Sequence, residues 1–261
     1  MQPDERLTYK TTPQGELQLH AFRPPQHDPD DSRPAIVFFF GGGWSGGTPE
    51  QFYPHCRDLA SCGMVAFAAE YRVAERHGTT PFECVLDGKS AVRWIRDGAG
   101  GLGVDPTMIA AGGGSAGGHV AAATALCTEL GEKSGDDAVS CRPDALVLFN
   151  PVFDNGPDGY GHKLLEDRWR MISPMHNIGP GAPPTVVFLG TEDHLIPVST
   201  AETYRDRMDA AGARCELHLY EGQGHGFFNY REGKNEYYDR TMDAARRFLA
   251  SMGYLVDPDS E

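Results

Sequence analysis

No apolar run in this chain approaches the roughly 18 residues that a membrane-spanning helix requires, so a helical membrane protein is excluded. Positive charge is scarce. The 23 Lys and Arg face 37 Asp and Glu, and a formal charge of −14 repels phosphate backbones and anionic lipid. Neither nucleic acid nor a membrane surface is an expected partner. Cysteine is sparse and dispersed: Cys56, Cys62, Cys84, Cys127, Cys141 and Cys215 form no C-x-x-C pair and no Cys/His spacing suited to zinc. Reduced thiols and no metal are the expectation. The first residues, Met-Gln-Pro-Asp-Glu-Arg, lack the apolar stretch of a signal peptide, which makes the cytoplasm the default compartment. There is no repeat and no low-complexity tract, and Pro24 to Pro34 is the one linker-like stretch. Residues 1–261 are therefore expected to form a single domain.

What is present is an alternation of two periodicities over most of the chain. Strand-like runs of β-branched, aromatic and small apolar residues occur at Leu17–Phe22, Ala35–Phe40, Met64–Ala69, Met108–Ala111, Ala145–Phe149, Thr185–Leu189 and Arg214–Tyr220. Helical spacing fills Gln51–Ser61, Phe82–Arg96, Ala116–Leu130, Val198–Ala211 and Glu236–Ser251. Strand and helix in turn predict an α/β fold with a mostly parallel central sheet and helices on both faces. In such sheets ligands bind beyond the carboxyl ends of the strands. Four of those ends carry unusual residues: Gly41-Gly42-Gly43-Trp44, Gly113-Gly114-Ser115-Ala116-Gly117, Gly190-Thr191-Glu192-Asp193 and Gly222-Gln223-Gly224-His225-Gly226. A stretch between Pro151 and Pro184 with one short helix fits a small lid over the same rim.

The pattern Gly-x-Ser-x-Gly occurs twice, around Ser115 and around Ser45. A nucleophile elbow needs a strand before the serine and a helix after it, with neighbours that lack bulk where the two cross. Ser115 meets that condition; Ser45 runs into Gly, Thr and Pro49, a loop. The same segment also fits a dinucleotide fingerprint through Gly112, Gly114 and Gly117. That motif needs an acid at the end of the next strand, whereas Asp136 and Asp137 precede Ala145–Phe149.

A serine hydroxyl needs an imidazole to take its proton and a carboxylate to fix the imidazole tautomer. His225, in a glycine-flanked loop after the last strand, is the candidate base, with His194 and His119 as rivals. Asp193 is the candidate orienting acid, with Asp154 and Glu192 as substitutes. The order Ser115, Asp193, His225 is that of one serine-hydrolase architecture. The bare amides of Gly41–Gly43, joined by Ala116 at a helix N-terminus, suit a developing oxyanion. Such a mechanism needs an uncharged His225, so activity should fall on the acid side of neutrality.

From Gly15 to Met252 these motifs resemble α/β-hydrolase-fold esterases, the branch of hormone-sensitive-lipase-like carboxylesterases and bacterial acetyl or feruloyl esterases. The family's His-Gly-Gly-Gly looks like Phe40-Gly41-Gly42-Gly43, and its Gly-Asp-Ser-Ala-Gly-Gly like Gly113 to Gly118. The resemblance implies oxyanion donors at Gly42, Gly43 and Ala116 and no organic cofactor. Phe40 and Gly114 depart from the motifs, so the glycine loop must be held by something else, such as packing of Trp44. Trp44, Tyr160, Trp169 and Phe227 are the candidate substrate-binding aromatics. The polar 151–184 stretch, with Asp154, Asp158, Glu166, Asp167, Arg168 and Arg170 among Phe153, Tyr160 and Trp169, points to small soluble esters, O-acetylated carbohydrates among them. A serine peptidase of the same fold and a silent binding protein are the alternatives.

Overall fold

A computed structural model describes residues 1–131 and 138–255. Asp136 and Asp137 lie outside the described residues. The strands are β1 (Glu5–Thr12), β2 (Gly15–Phe22), β3 (Arg33–Phe39), β4 (Val65–Ala69), β5 (Val104–Gly114), β6 (Ala145–Phe149), β7 (Thr185–Gly190) and β8 (Cys215–Tyr220). They form one eight-stranded sheet in the order β1-β2-β4-β3-β5-β6-β7-β8. The pairs β1·β2 and β2·β4 are antiparallel, and every pair from β4·β3 to β7·β8 is parallel. Central strands such as Val65–Ala69 and Ala145–Phe149 are buried throughout, which is why they read as continuous apolar runs.

The helices are α1 (Tyr53–Ser61), α2 (Ala74–His77), α3 (Pro81–Asp97), α4 (Ala99–Leu102), α5 (Ala116–Leu126), α6 (Val198–Ala210) and α7 (Glu236–Ala250). Helix α3 starts at a capping box in which the Thr80 hydroxyl accepts from Phe82 N and Glu83 reaches back to the Thr80 amide. On one sheet face α1 and α7 meet through the edge-on rings of His55 and Tyr238, 4.9 Å apart. On the other, α3 and α5 approach so closely that a Cβ on Gly88 would lie 2.6 Å from Val120. At the far end of α5, the buried Lys89 ammonium donates to Cys127 O at 2.6 Å and to Leu130 O at 2.5 Å. None of the described helices is long and apolar enough to cross a membrane.

Three expectations need correction. Strand β1 was not anticipated, because it is an edge strand whose one buried side chain is Tyr9 and whose sequence is otherwise polar apart from the half-buried Leu7. Helix α5 ends at Leu126 and not at Leu130. The 151–184 stretch holds no α-helix; it winds through three 3₁₀ turns, His162–Leu164, Glu166–Met171 and Pro174–His176. Positive φ at Gly161 and Glu166 and the proline at 174 interrupt any longer helical register.

Candidate active site

The parallel strands deliver their carboxyl ends to one rim, and the residues that follow β3, β5, β6, β7 and β8 meet there. Ser115 is the corner between β5 and α5, at φ 54° and ψ −119°. Only a crossing without side chains permits this corner: a Cβ on Gly117 would lie 2.0 Å from Phe39 O, and one on Gly113 would lie 2.5 Å from the Gly117 backbone. The corner is tied down by its own backbone, with Ser115 N donating to Phe149 O at 3.0 Å and Ser115 O accepting from His119 N at 3.0 Å. Ser45 has no such setting. Its hydroxyl donates to Glu75 at 3.1 Å, and its carbonyl accepts from the Glu75 amide at 3.0 Å.

His225 follows β8 and stands one-quarter exposed, with Nδ1 2.7 Å from Oδ2 of a fully buried Asp193 side chain. Oδ1 of the same carboxylate accepts from Leu195 N at 2.8 Å and Ile196 N at 3.0 Å. Burial opposes ionisation of Asp193, but the bonds from His225, Ile196 and Leu195 together outweigh it and hold the carboxyl below its usual range. An ionised carboxylate only accepts, so Nδ1 carries the proton and Nε2 is left with its lone pair. Nε2 faces Asn150 Nδ2 at 3.3 Å, and Ser115 Oγ has no hydrogen-bond partner among the described residues. Both residues line one cavity of about 580 Å³, together with Gly41, Gly42, Gly43, Gln51, Asn150, Tyr160, Leu195, Phe228 and Asn229. His194 and Glu192 are exposed, and Asp154 accepts from Gly156 N at 2.6 Å, away from His225.

The loop of Gly41, Gly42 and Gly43 is anchored without the motif histidine. Phe40 stacks on Tyr71 at 4.1 Å between centroids, and Tyr71 OH donates to Phe40 O at 2.6 Å. Gly41 N donates to Gln51 Oε1 at 2.6 Å. Trp44 is 2% exposed, and its indole N–H donates to His119 Nδ1 at 3.2 Å, so His119 accepts there and carries its proton on Nε2 toward Ile172 O at 2.8 Å. Burial pulls the His119 imidazole down to about 4, even with the opposing bonds to Ile172 and Asn155, so it stays uncharged. The amides of Gly42 and Gly43 make no hydrogen bond among the described residues, and Ala116 opens α5 with its N–H turned off the helix end. At Gly114, the other departure from the motif, a Cβ would lie 2.5 Å from the Phe228 ring, which takes the space of the missing acidic side chain.

Of the four candidate substrate-binding aromatics, Tyr160 lines the cavity and also an adjoining pocket of about 330 Å³ with Asp154, Asp158 and His194. Phe227 lines a neighbouring groove of about 700 Å³ on the other side of His225. Trp44 and Trp169 need correction. Trp44 is buried under the glycine loop, and Trp169 packs between the His176 ring, 4.8 Å away, and the Arg170 guanidinium. Phe153 is likewise buried, stacked 3.6 Å from Tyr204. Asn150, Gln51, Asn229 and Tyr71 were not foreseen. Asn150 had a readable signal, its place directly after β6; the others had none within their own segments. Among the described residues no cluster of three His, Cys, Asp or Glu side chains could hold a metal ion.

Two family models match, BD-FAE over residues 20–146 and the dienelactone hydrolase family over residues 160–255. Among curated relatives, the probable carboxylic ester hydrolase LipM of Mycobacterium tuberculosis is 30% identical over 73% of this chain and 48% of its own length. Carboxylesterase NlhH of the same organism is 28% identical over 77% of this chain and 68% of its own. The chain spans about half the length of the first of these relatives. Among solved structures, Thermogutta terrifontis esterase 2 phosphoramylated by tabun superposes with a TM-score of 0.93 at 44% identity, covering 97% of this chain and 96% of that one. The same esterase with propionate bound gives a TM-score of 0.91 at 43% identity, over 97% and 95% of the two chains.

Proposed function

Because this chain belongs to the α/β-hydrolase-fold carboxylesterases, we propose that it hydrolyses small, short-acyl esters through an acyl-enzyme on Ser115. The observation that carries the reading is the shared cavity: a strained serine, an imidazole whose unprotonated nitrogen has only the Asn150 amide at 3.3 Å beside it, and unpaired amides in the loop beside both. Ser115 Oγ attacks the ester carbonyl while its proton passes to His225 Nε2. The carbonyl oxygen gains charge, which the Gly42, Gly43 and Ala116 amides stabilise; donors of this kind are typically worth about 2.7–4 kcal/mol each. The tetrahedral adduct collapses, and the alcohol leaves with the proton from Nε2. Water then repeats the sequence on the acyl group, returning Ser115 and releasing the acid. Asp193 keeps the proton of the imidazole on Nδ1 throughout.

Short acyl groups are supported by the propionate and butyrate bound in esterase 2. The alcohol would occupy the adjoining pocket, where Asp154, Asp158 and Tyr160 suit a hydroxylated group such as an acetylated sugar. With Trp169 and Phe153 turned elsewhere, the stacking part of that preference rests on Tyr160 alone. In this reading the chain is one α/β domain, and residues 151–184 are its lid-like cover. The test compares p-nitrophenyl acetate, butyrate and decanoate with an acetylated oligosaccharide. The acetyl and butyryl esters should be turned over fastest, and Ser115→Ala should lose at least about 10³-fold in kcat. Preference for decanoate refutes the acyl assignment; an active Ser115→Ala refutes the mechanism.

A further inference from the structure

We propose that Gln51 and Asn229 are a positioning pair, fixing the spacing between the oxyanion loop and the loop that carries the base. The proposal rests on the roles just given to Ser115, His225 and Asp193. It starts from the departure at Phe40, which removes the side chain that resembled enzymes place before the glycines. Gly41 N donates instead to Gln51 Oε1 at 2.6 Å; Gln51 Nε2 donates to Asn229 Oδ1 at 2.9 Å; Asn229 Nδ2 donates to Gly226 O at 2.8 Å. The orientation of both amides is fixed by the backbone at each end. Gly41 N–H can only donate and Gly226 C=O can only accept, so one arrangement alone satisfies all three bonds.

The line continues to the reacting groups. Gly226 N donates to Asn150 Oδ1 at 3.1 Å, and Asn150 Nδ2 faces His225 Nε2 at 3.3 Å. Two hydrogen-bonded runs, joined through the Gly226 backbone, thus connect the first glycine of the loop with the nitrogen proposed to take the serine proton, although Gln51 and Asn229 lie 178 positions apart in sequence. The Gln51 and Asn229 side chains make no other hydrogen bond among the described residues, and both line the cavity. The two loops they join hang from different strands, β3 and β8, which occupy separate positions in the sheet. Without the bridge each loop keeps its own anchors, but their separation is set only through the sheet. A displacement near 1 Å between donors and base costs about 10²-fold in turnover.

Steady-state kinetics with p-nitrophenyl acetate on Gln51→Met, Asn229→Leu and the double variant test this, with melting temperatures measured alongside. Each single variant should lose about 10–100-fold in kcat with KM within about threefold of the parent. The double variant should fall no more than about threefold below the weaker single, because one bridge is broken only once. Gln51→Asn keeps an amide but is one methylene too short to hold both partners; it should behave like Gln51→Met and replaces it if that variant does not fold. Unchanged kcat, a loss confined to KM, or losses that multiply in the double variant would overturn the proposal. A parent without ester turnover would instead sink the reading of Ser115 on which it rests.

Discussion

The segments 43–47 and 113–117 carry the same Gly-x-Ser-x-Gly pattern, and the fold uses them for opposite purposes. The closing glycine of each is a steric necessity: a Cβ on Gly117 would lie 2.0 Å from Phe39 O and 2.4 Å from Phe40 O, and one on Gly47 would lie 2.1 Å from Gly41 O. The segments differ in what those glycines let the serine do. In 43–47 the chain turns back on itself, with Ser45 N and Gly46 N both donating to Gly42 O at 3.0 and 3.2 Å, and it is carried by the Ala74 and Glu75 amides. One segment strains a serine into a cavity, while the other folds a serine against a glutamate and leaves the amides before it free. A short pattern acquires meaning from what precedes and follows it, here a strand and a helix in one case and neither in the other.

Three measurements bear on that contrast. Gly117→Ala should cost about 4 kcal/mol or more in urea unfolding, since backbone must move to admit the methyl group. Gly46→Ala should cost less than about 1 kcal/mol, because its Cβ would meet the mobile Glu75 carboxylate at 3.2 Å. Gly46 occupies the place of Ala116 in the pattern, so a cost there equal to that at Gly117 would mean that the turn after Ser45 is packed as tightly as the corner after Ser115. The second concerns the tie between the two segments, the Trp44 to His119 bond, which depends on an uncharged ring. Burial holds His119 down to about 4 and His55, with no partner for either nitrogen, down to about 3, both from 6.5. Below pH 6.5 the unfolded chain therefore binds protons that the folded protein refuses. Stability present above that pH should drain away as pH falls toward 4, by roughly 3 kcal/mol for each ring. Denaturant unfolding at pH 7 and pH 4 reads this directly, and a flat profile would mean the rings are charged or hydrated. The smallest effect belongs to Ser45→Ala, which removes one surface hydrogen bond. It should change stability by under about 0.5 kcal/mol and leave kcat alone, whereas a turnover defect would show that the second serine takes part.

Much of this was legible along the chain. The alternation of strand and helix gave away the parallel sheet because its central strands are buried on both faces and so show unbroken apolar runs. The strand-end rule picked out Ser115, Asp193 and His225 for the same reason: in such a sheet, polar residues after a strand have one rim to share. The edge strand β1 escaped because a half-solvated strand with one buried tyrosine looks like a loop. Trp44 was singled out both as a support of the glycine loop and as a substrate contact; its burial and its bond to His119 suit the first role and leave it off the cavity wall, since pattern alone does not say which way an indole after a triple glycine will turn. Tyr71, Gln51 and Asn229 escaped altogether. Each matters through a partner in a different segment, and no local periodicity encodes such a pairing.

The buried ammonium of Lys89 closes the far end of the helix that begins at Ser115. The leading tip of that helix is wedged against the β3 backbone through Gly117, and the cation holds the carbonyls of the turn that follows its last residue, some three turns away. The corner that holds the Ser115 hydroxyl is thus steadied from the far end of its helix and not from within the cavity.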